Sequence, residues 1–222
     1  MKNTFIASTV AAIMLSGAAS AATLTGTFSI DIYQTLNATT QQSRANEADG
    51  LSASTFLDSI TYNGALDFGT YDSSDSTTIG DWLASGGGTI WSLEDSTRDL
   101  QQSKPDIGSG SATTTFYDIT GVFDLGAGFD SVIRHDDGFS TYDDGAFLAA
   151  YSNPTGVRNT DSDGFDGGVW RMIYSATNGD PSVLKVTGDN LPSPVPVPAA
   201  GFLLVGALGG LGFAGRRRRK AS

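Results

Sequence analysis

The sequence predicts an all-β protein built as a single antiparallel β-sandwich, and three observations support that fold class. Of the 222 residues 24 are acidic, and all of these except Glu47 and Glu94 are aspartate, which favours turns over helices. Glycine is abundant, at 28 residues, and short apolar runs are separated by Asp-Gly and Asn-Gly pairs without a sustained helical period. The 39 % of hydrophobic residues is enough to build a core.

The first half of the chain contains four predicted strands. The clearest covers residues 24–32, where apolar side chains at every second position share one face. Residues 56–62 and 65–70 flank Asn63-Gly64, a strong signal for a two-residue hairpin. A fourth strand is predicted at residues 89–93. Three polar, aperiodic segments are predicted loops: residues 34–51, 73–78 and 96–111.

Six further strands are predicted in the second half: residues 114–123, 129–134, 140–142, 146–150, 169–174 and 183–186. The predicted turns lie at Asp137-Gly138, Asp144-Gly145, Asn178-Gly179 and Asp180-Pro181. Strands and turns at this spacing are typical of a sandwich or a barrel.

The composition excludes several classes of function. The chain has no cysteine, which excludes a disulfide scaffold, thiol catalysis and a Cys-ligated zinc site. A single histidine excludes a His-rich metal cluster. The formal net charge of −11 argues against nucleic acid as a partner, because phosphates attract Lys and Arg.

Residues 1–21 have the features of a secretory signal peptide. Lys2 precedes an apolar run over residues 5–15, and residues 19–21 read Ala-Ser-Ala, which fits the small-x-small cleavage rule. We therefore expect export through the translocon and cleavage by signal peptidase between Ala21 and Ala22.

Residues 192–222 predict a membrane-inserted tail. Prolines at every second position from 192 to 198 form a stiff spacer, and residues 199–214 are uncharged and mostly apolar. As a helix this run would span about 24 Å, a little short of a bilayer core of about 30 Å. The basic cluster follows at once: Arg216, Arg217, Arg218, Arg219 and Lys220. We expect one transmembrane helix with the basic end in the cytoplasm and the body outside.

The tail resembles the PEP-CTERM type of sorting signal of Gram-negative bacteria, in its VPLPA form. The matching residues are Val195, Pro196, Val197, Pro198 and Ala199, with Val197 where leucine is usual. The resemblance implies recognition by an exosortase, a membrane cysteine protease that removes the tail. It also implies inner-membrane tethering until processing, then a location at the cell surface or outside the cell, in association with exopolysaccharide and biofilm matrix.

The remaining body, residues 22–191, is predicted to be one domain with a strongly acidic surface. Lys2 and the five basic tail residues account for six of the 13 basic residues, so the body carries seven basic residues against 24 acidic ones, a net charge of −17. Such a surface repels anionic polymers unless divalent cations screen or bridge the charges.

Oxygen ligands for a hard cation are concentrated between Arg134 and Gly168. The candidate aspartates are Asp136, Asp137, Asp161, Asp163 and Asp166, the last three in a predicted loop. Closely spaced aspartates with glycine are typical of calcium sites, although the twelve-residue EF-hand frame is absent. The alternative is that the Asp-Gly pairs simply close hairpins, at Asp136-Asp137 and at Asp143-Asp144 alike.

The run from Asp136 to Gly145 resembles lectin-like β-sandwiches of the anthrax protective antigen and yeast flocculin type. Those domains carry Asp-Asp-Gly followed by Tyr-x-Asp-Gly, as at Asp136-Asp137-Gly138 and Tyr142-x-Asp144-Gly145 here. The resemblance implies that Asp136 and Asp137 hold a calcium ion that binds sugar hydroxyls. It also implies help from an Asn or Asp of a second loop, for which the candidates are Asn159, Asp161 and Asp163.

These observations predict a surface or matrix-associated binding module, with calcium-dependent carbohydrate binding as the leading function. A non-enzymatic structural component of the matrix is the alternative, and a glycan-cleaving enzyme follows behind it. Trp82, Trp91 and Trp170 could stack on sugar rings, although burial in the core is the commoner role. His135 could act as a base, but no nucleophile motif accompanies it.

Overall fold

The structure is a computed structural model that describes residues 21–70, 77–94, 96–100, 112–124, 126, 128–177, 179, 181–189 and 191. The predicted sorting motif and transmembrane helix lie outside the described residues, as does the predicted signal peptide up to residue 20. Within the described ranges, no helix is long and apolar enough to span a membrane.

Twelve strands make up almost all of the described secondary structure. In chain order they are β1 (Ala22–Thr23), β2 (Thr25–Ala38), β3 (Thr55–Ala65), β4 (Asp67–Thr70), β5 (Thr89–Trp91), β6 (Ala112–Phe123), β7 (Phe129–Asp136), β8 (Phe139–Asp143), β9 (Ala146–Tyr151), β10 (Arg158–Phe165), β11 (Gly168–Ala176) and β12 (Ser182–Asp189). A short helix, α1 (Ile79–Ser85), and a 3-10 turn (Leu51–Ala53) complete them.

The strands form two antiparallel sheets, in agreement with the predicted sandwich. The first sheet has the order β1-β12-β7-β10, with β4 also paired to β12. The second sheet has the order β5-β3-β2-β6-β11-β8-β9. Alternation along β2 and β11 places buried side chains between the sheets: Phe28, Ile30, Ile32, Trp170, Met172 and Tyr174.

Helix α1 was not predicted from the sequence, and it closes one part of the core. It begins after Thr78, whose hydroxyl accepts from the Asp81 backbone N–H while the Asp81 carboxylate accepts in return, a capping box. Its buried Trp82 stacks on Phe68 and Tyr117 with ring centroids 4.6 and 4.4 Å apart. The Thr78-x-x-Asp81 spacing is the local sequence signal for the start of this helix, whose seven residues are too few to show a sustained helical period.

The predicted hairpin at Asn63-Gly64 is wrong. Both residues lie inside β3, paired with Thr27 and Gly26 of β2. The glycine is needed for close approach and not for a turn, because a Cβ on Gly64 would lie 2.7 Å from the Gly88 Cα. The chain instead changes sheets at Leu66, whose N–H donates to the Leu24 carbonyl at 2.8 Å before β4 joins β12.

Two predicted loops also differ from the structure. The segment 158–168 is strand β10 and the start of β11, because its backbone pairs with β7 in spite of its polar side chains. Strand β2 continues to Ala38, and the segment after it folds over the outer face of the second sheet. There Ala45 packs with Phe116 and Ile173 in a small second core. Of the other predicted turns, Asn178 and Asp180 lie outside the described residues.

Candidate functional site

The Asp136-Asp137-Gly138 segment is a corner at which the chain crosses from one sheet to the other. Strand β7 of the first sheet ends at Asp136, and β8 of the second sheet begins at Phe139. The two aspartates are 5 % and 1 % exposed, and the peptide bond between them is cis. The corner therefore places two adjacent carboxyl groups in a buried position, where carboxylates are uncommon.

Asp137 ties two other segments of backbone to this corner. Its Oδ1 accepts from the Thr155 N–H at 3.0 Å, and its Oδ2 accepts from the Thr177 N–H at 2.8 Å. Burial and the neighbouring Asp136 charge raise the pKa of the Asp137 carboxyl well above its usual range, and the two N–H donors act in the opposite direction. Each carboxylate oxygen still has a lone pair beyond the one its donor uses.

A buried polar network lies behind the corner. The Tyr174 hydroxyl donates to the Asp136 backbone carbonyl. The Trp82 indole N–H donates to the Ser182 carbonyl at 3.1 Å. Burial raises the pKa of the Tyr174 hydroxyl well above its ordinary value, and the charges of Asp137 and Asp136 add to that effect. Tyr174 of β11 thus supports the corner by a hydrogen bond, and Trp82 of α1 stacks on the Tyr174 ring with centroids 5.4 Å apart.

His135 is fully buried and both of its ring nitrogens are engaged. Nδ1 lies 2.5 Å from the Asp137 carbonyl oxygen, and Nε2 lies 2.9 Å from the Thr160 hydroxyl oxygen. Burial lowers the pKa of the imidazole, with a smaller contribution of the same sign from Arg158, whereas the Asp137 contact raises it. His135 therefore connects the corner to β10 through its two ring nitrogens.

The structure does not bring the six predicted cation ligands together. Asn159 and Asp161 pair with Arg134 and Val132 on β7, and both are exposed. Asp163 and Asp166 lie near the opposite end of β7, which at about 3.4 Å per residue is roughly 20 Å from Asp136. Only Asp136 and Asp137 are adjacent, so the six residues do not form one site. No group of three acidic or histidine side chains suited to a metal occurs among the described residues.

The distant end of β7 borders a separate open cavity of about 520 Å³. Asp130, Asp163 and Asp189 line it together with the Phe129 and Phe165 side of the sheet. The Asp130 carboxylate accepts from the Gly164 N–H at 2.8 Å and so holds the bulge in β10. This acidic rim belongs to the strand ends and is unconnected with the Asp136–Asp137 corner.

The second Asp-Asp-Gly segment, residues 143–145, is an exposed hairpin turn between β8 and β9, as one interpretation of the sequence predicted. Asp144 and Gly145 both have positive φ, 44° and 85°, as a type I′ turn requires. Asp144 Oδ1 accepts from the Val169 N–H at 2.8 Å. Asp143 Oδ2 accepts from the Asp166 N–H at 3.2 Å, and burial followed by the nearby Asp166 and Asp144 raises the Asp143 pKa.

The three tryptophans have different environments. Trp82 and Trp170 are fully buried, as expected for core residues, whereas Trp91 on β5 is 48 % exposed.

The partners of the Asp136–Asp137 corner, chiefly Thr155, Thr160 and Thr177, were not predicted from the sequence. No sequence signal marks them, because each reaches the corner through the tertiary pairing of β7, β10 and β11.

Comparisons with known proteins give similarity in fold only. No protein-family model matches the chain, and neither does any curated protein. Among solved structures, the PA14 domain of the MpAFP antifreeze protein is 16 % identical, with a TM-score of 0.46 over 78 % of this chain and 87 % of that one. The PA14 sugar-binding domain from an RTX adhesin is 19 % identical, with a TM-score of 0.44 over 73 % and 87 % of the two chains. A GH31 alpha-xylosidase from Xanthomonas citri gives a TM-score of 0.37 at 10 % identity and covers 81 % of this chain but 16 % of that one.

Proposed function

We propose that this chain is an exported carbohydrate-binding module and that the Asp136–Asp137 corner holds a calcium ion at its binding site. The observation that supports the proposal is the burial of two adjacent carboxyl groups, 5 % and 1 % exposed, in a strongly acidic protein. Two carboxylates side by side disfavour each other's ionisation, and a divalent cation offsets both charges at once.

The residues present fit part of a calcium coordination shell. Calcium takes six to eight oxygen ligands, and Asp136 and Asp137 would supply carboxylate oxygens. The described residues add no third acidic side chain at the corner, so backbone carbonyls, water and the hydroxyls of a bound sugar would complete the shell. An ion held in this way would present open positions to a sugar diol.

Binding is favoured over catalysis because the polar groups at the corner are already committed. Both ring nitrogens of His135 and both carboxylate oxygens of Asp137 have protein partners. A general base must be able to reach a substrate proton, and these contacts tie His135 to its neighbours instead. A structural component of the matrix remains the alternative function, and it requires neither calcium nor a glycan at this corner.

Export and tail removal form the second part of the proposal. Peptide mass spectrometry of the cell-surface fraction should find a mature start near Ala22 and no peptide beyond about Val195. A surface form that retains Arg216 to Lys220 would contradict processing by an exosortase and indicate a permanent anchor instead.

Calcium titration of the purified full chain tests the cation site. At about 10 mM calcium and a dissociation constant of about 10⁻⁴ M, mass action should add about 2.7 kcal/mol to the free energy of unfolding. Asp136→Asn combined with Asp137→Asn should abolish that gain. The matched control, Asp143→Asn combined with Asp144→Asn, changes the same tripeptide in the exposed turn and should keep the gain. The cation site would be contradicted if calcium does not raise the free energy of unfolding of the wild type. It would also be contradicted if both double variants lose the gain equally.

A glycan array probed with and without a chelator tests the ligand class. We expect some glycans to be bound by the wild type in calcium and not in chelator, and the Asp136–Asp137 double variant to lose those same glycans with circular dichroism unchanged. Calcium binding without glycan binding would indicate that the calcium ion has a structural role only, and it would favour the matrix-component alternative. Release of new reducing ends from a bound glycan would contradict a purely binding role.

A further inference from the structure

The outer face of the second sheet carries an exposed tryptophan beside a row of hydroxyl side chains. Trp91 on β5 pairs with Thr61 on β3, which pairs with Ser29 on β2, which in turn pairs with Thr120 on β6. Cross-strand partners in antiparallel sheets point to the same face, so these four side chains form one continuous row. We call this row, with its exposed neighbours Thr27 and Asn63, the Trp91 face.

The Trp91 face is accessible and uncharged. Trp91 is 48 % exposed, Thr120 is partly exposed and the other four residues are exposed. The uncharged area ends at the next row on the same face, where Asp31 and Asp118 pair with each other two residues along β2 and β6 from Ser29 and Thr120. On a chain with a net charge of −11, an uncharged patch bordered by carboxylates favours a neutral ligand over an anionic one.

We propose that the Trp91 face is a second glycan-contact surface that binds a neutral polysaccharide without calcium. A sugar ring has an apolar C–H face and a rim of hydroxyls, which match a flat aromatic surface and a row of hydroxyl and amide side chains. The proposal does not depend on the Asp136–Asp137 corner, because no carboxylate belongs to the Trp91 face and the corner lies where β7 enters β8.

The geometry of the sheet sets the length of this surface. Strands lie about 4.8 Å apart, so the row from Trp91 to Thr120 is about 14 Å long, enough for a short stretch of an extended glycan. The row continues through Arg171 on β11, but that guanidinium is bound to the Asp118 carboxylate at 2.7 Å and to Glu47 at 2.6 Å. A twist of about 20–25° per strand turns the far side of the sheet away from Trp91. The surface is therefore confined to β5, β3, β2 and β6.

Affinity electrophoresis in chelator tests the proposal. The full chain would be run through gels containing hydroxyethylcellulose, galactomannan or laminarin, with alginate as the anionic comparison. We expect retardation by at least one neutral polysaccharide, none by alginate, and affinity about tenfold weaker in Trp91→Ala. Phe147→Ala is the matched control, because Phe147 is 64 % exposed on β9 at the opposite side of the same sheet. It should bind like the wild type.

A second variant distinguishes loss of the surface from loss of the fold. Thr61→Glu leaves Trp91 in place but puts a bulky charge beside it, and it should also weaken binding while the melting temperature and circular dichroism stay close to those of the wild type. The proposal is overturned if no neutral polysaccharide retards the wild type in chelator, or if Trp91→Ala and Phe147→Ala behave alike. Sedimentation velocity adds one more outcome: dissociation of a wild-type dimer by Trp91→Ala would make the face a self-association surface instead. Chelator removes only the binding that requires calcium at the Asp136–Asp137 corner. Failure of the corner proposal and failure of the Trp91 face are therefore separate results.

Discussion

The tripeptide Asp-Asp-Gly occurs twice within ten residues, and its two copies have opposite roles. At residues 136–138 it is a buried corner between sheets, with the Asp137 carboxylate accepting two backbone N–H bonds. At residues 143–145 it is an exposed two-residue hairpin within one sheet, with Asp144 and Gly145 at positive φ. Gly138 faces backbone, since an added Cβ would lie 2.4 Å from the Ser152 carbonyl oxygen, whereas Gly145 has open space.

The difference shows that local sequence alone does not determine the chemistry of these aspartates. Adjacent strands in one sheet need only a tight turn, and Asp144-Gly145 supplies it with both residues exposed. A chain that crosses between sheets enters the interior, where each polar group needs a protein partner or a bound ion. Whether each copy of the tripeptide is buried or exposed is thus determined by the strands that pack against it, which come from elsewhere in the sequence.

The largest expected difference between the Asp136–Asp137 corner and the hairpin turn at residues 143–145 is in how much the free energy of unfolding falls when a carboxylate is removed. Asp137→Ala leaves the buried Thr177 N–H and the partly buried Thr155 N–H unpaired, at about 1–3 kcal/mol each, so we expect a loss of about 3 kcal/mol in the free energy of unfolding. Asp144→Ala exposes the Val169 N–H to water and puts alanine at a positive φ of 44°, so it should cost about 1–2 kcal/mol. Denaturant unfolding of both variants in chelator measures the difference.

Circular dichroism at low denaturant is the control for that comparison, because an Asp137→Ala chain that does not fold would also support a structural role for the carboxylate. Equal destabilisation by Asp137→Ala and Asp144→Ala would show that the burial of Asp137 does not make its carboxylate more important for stability than that of Asp144.

Substitution of Gly138 and of Gly145 should lower the stability of the protein for different physical reasons. Gly138→Ala forces backbone apart at Ser152 and Tyr151, and overpacking of this kind costs about 1–3 kcal/mol. Gly145→Ala meets no atom within 4 Å, and its cost of about 1–2 kcal/mol comes only from the positive φ of 85°. Gly145→Asn tolerates that conformation better and should recover part of the loss, whereas Gly138→Asn should be worse than alanine. Melting temperatures of the four variants test this, and recovery by asparagine at position 138 would contradict the steric account.

The parts of the fold that sequence reasoning predicted are those with local causes. Alternation along residues 24–32 placed Phe28 and Ile30 in the core, and Asp144-Gly145 was predicted as a turn because both residues tolerate positive φ. The errors have non-local causes. Asn63-Gly64 carries the same local signal as a hairpin, yet pairing with β2 and the close approach of Gly88 keep it extended.

The candidate site was predicted in part for the same reason. Asp136 and Asp137 are neighbours in sequence, so their adjacency needed no tertiary information. The grouping of Asp161 to Asp166 with them failed, because it assumed a loop that could fold back, whereas β10 runs along β7 away from the corner. Polar side chains on an exposed strand give the same composition as a loop, and backbone pairing alone distinguishes the two.

The smallest expected effect comes from conversion of Asp144 to asparagine. Asn-Gly is at least as favourable as Asp-Gly in a type I′ turn, and the asparagine oxygen can still accept from the Val169 N–H. The change also removes a charge beside Asp143, whose pKa is raised by burial and by the nearby Asp166 and Asp144 carboxyls. We expect the free energy of unfolding to stay unchanged or to rise by a few tenths of a kcal/mol. Asp137→Asn is the matched comparison: its amide has one acceptor for two N–H donors, so it should lose about 1 kcal/mol or more. Denaturant unfolding in chelator measures both, and a loss in Asp144→Asn as large as that in Asp137→Asn would mean that the two copies of the tripeptide do not differ in the way their burial indicates.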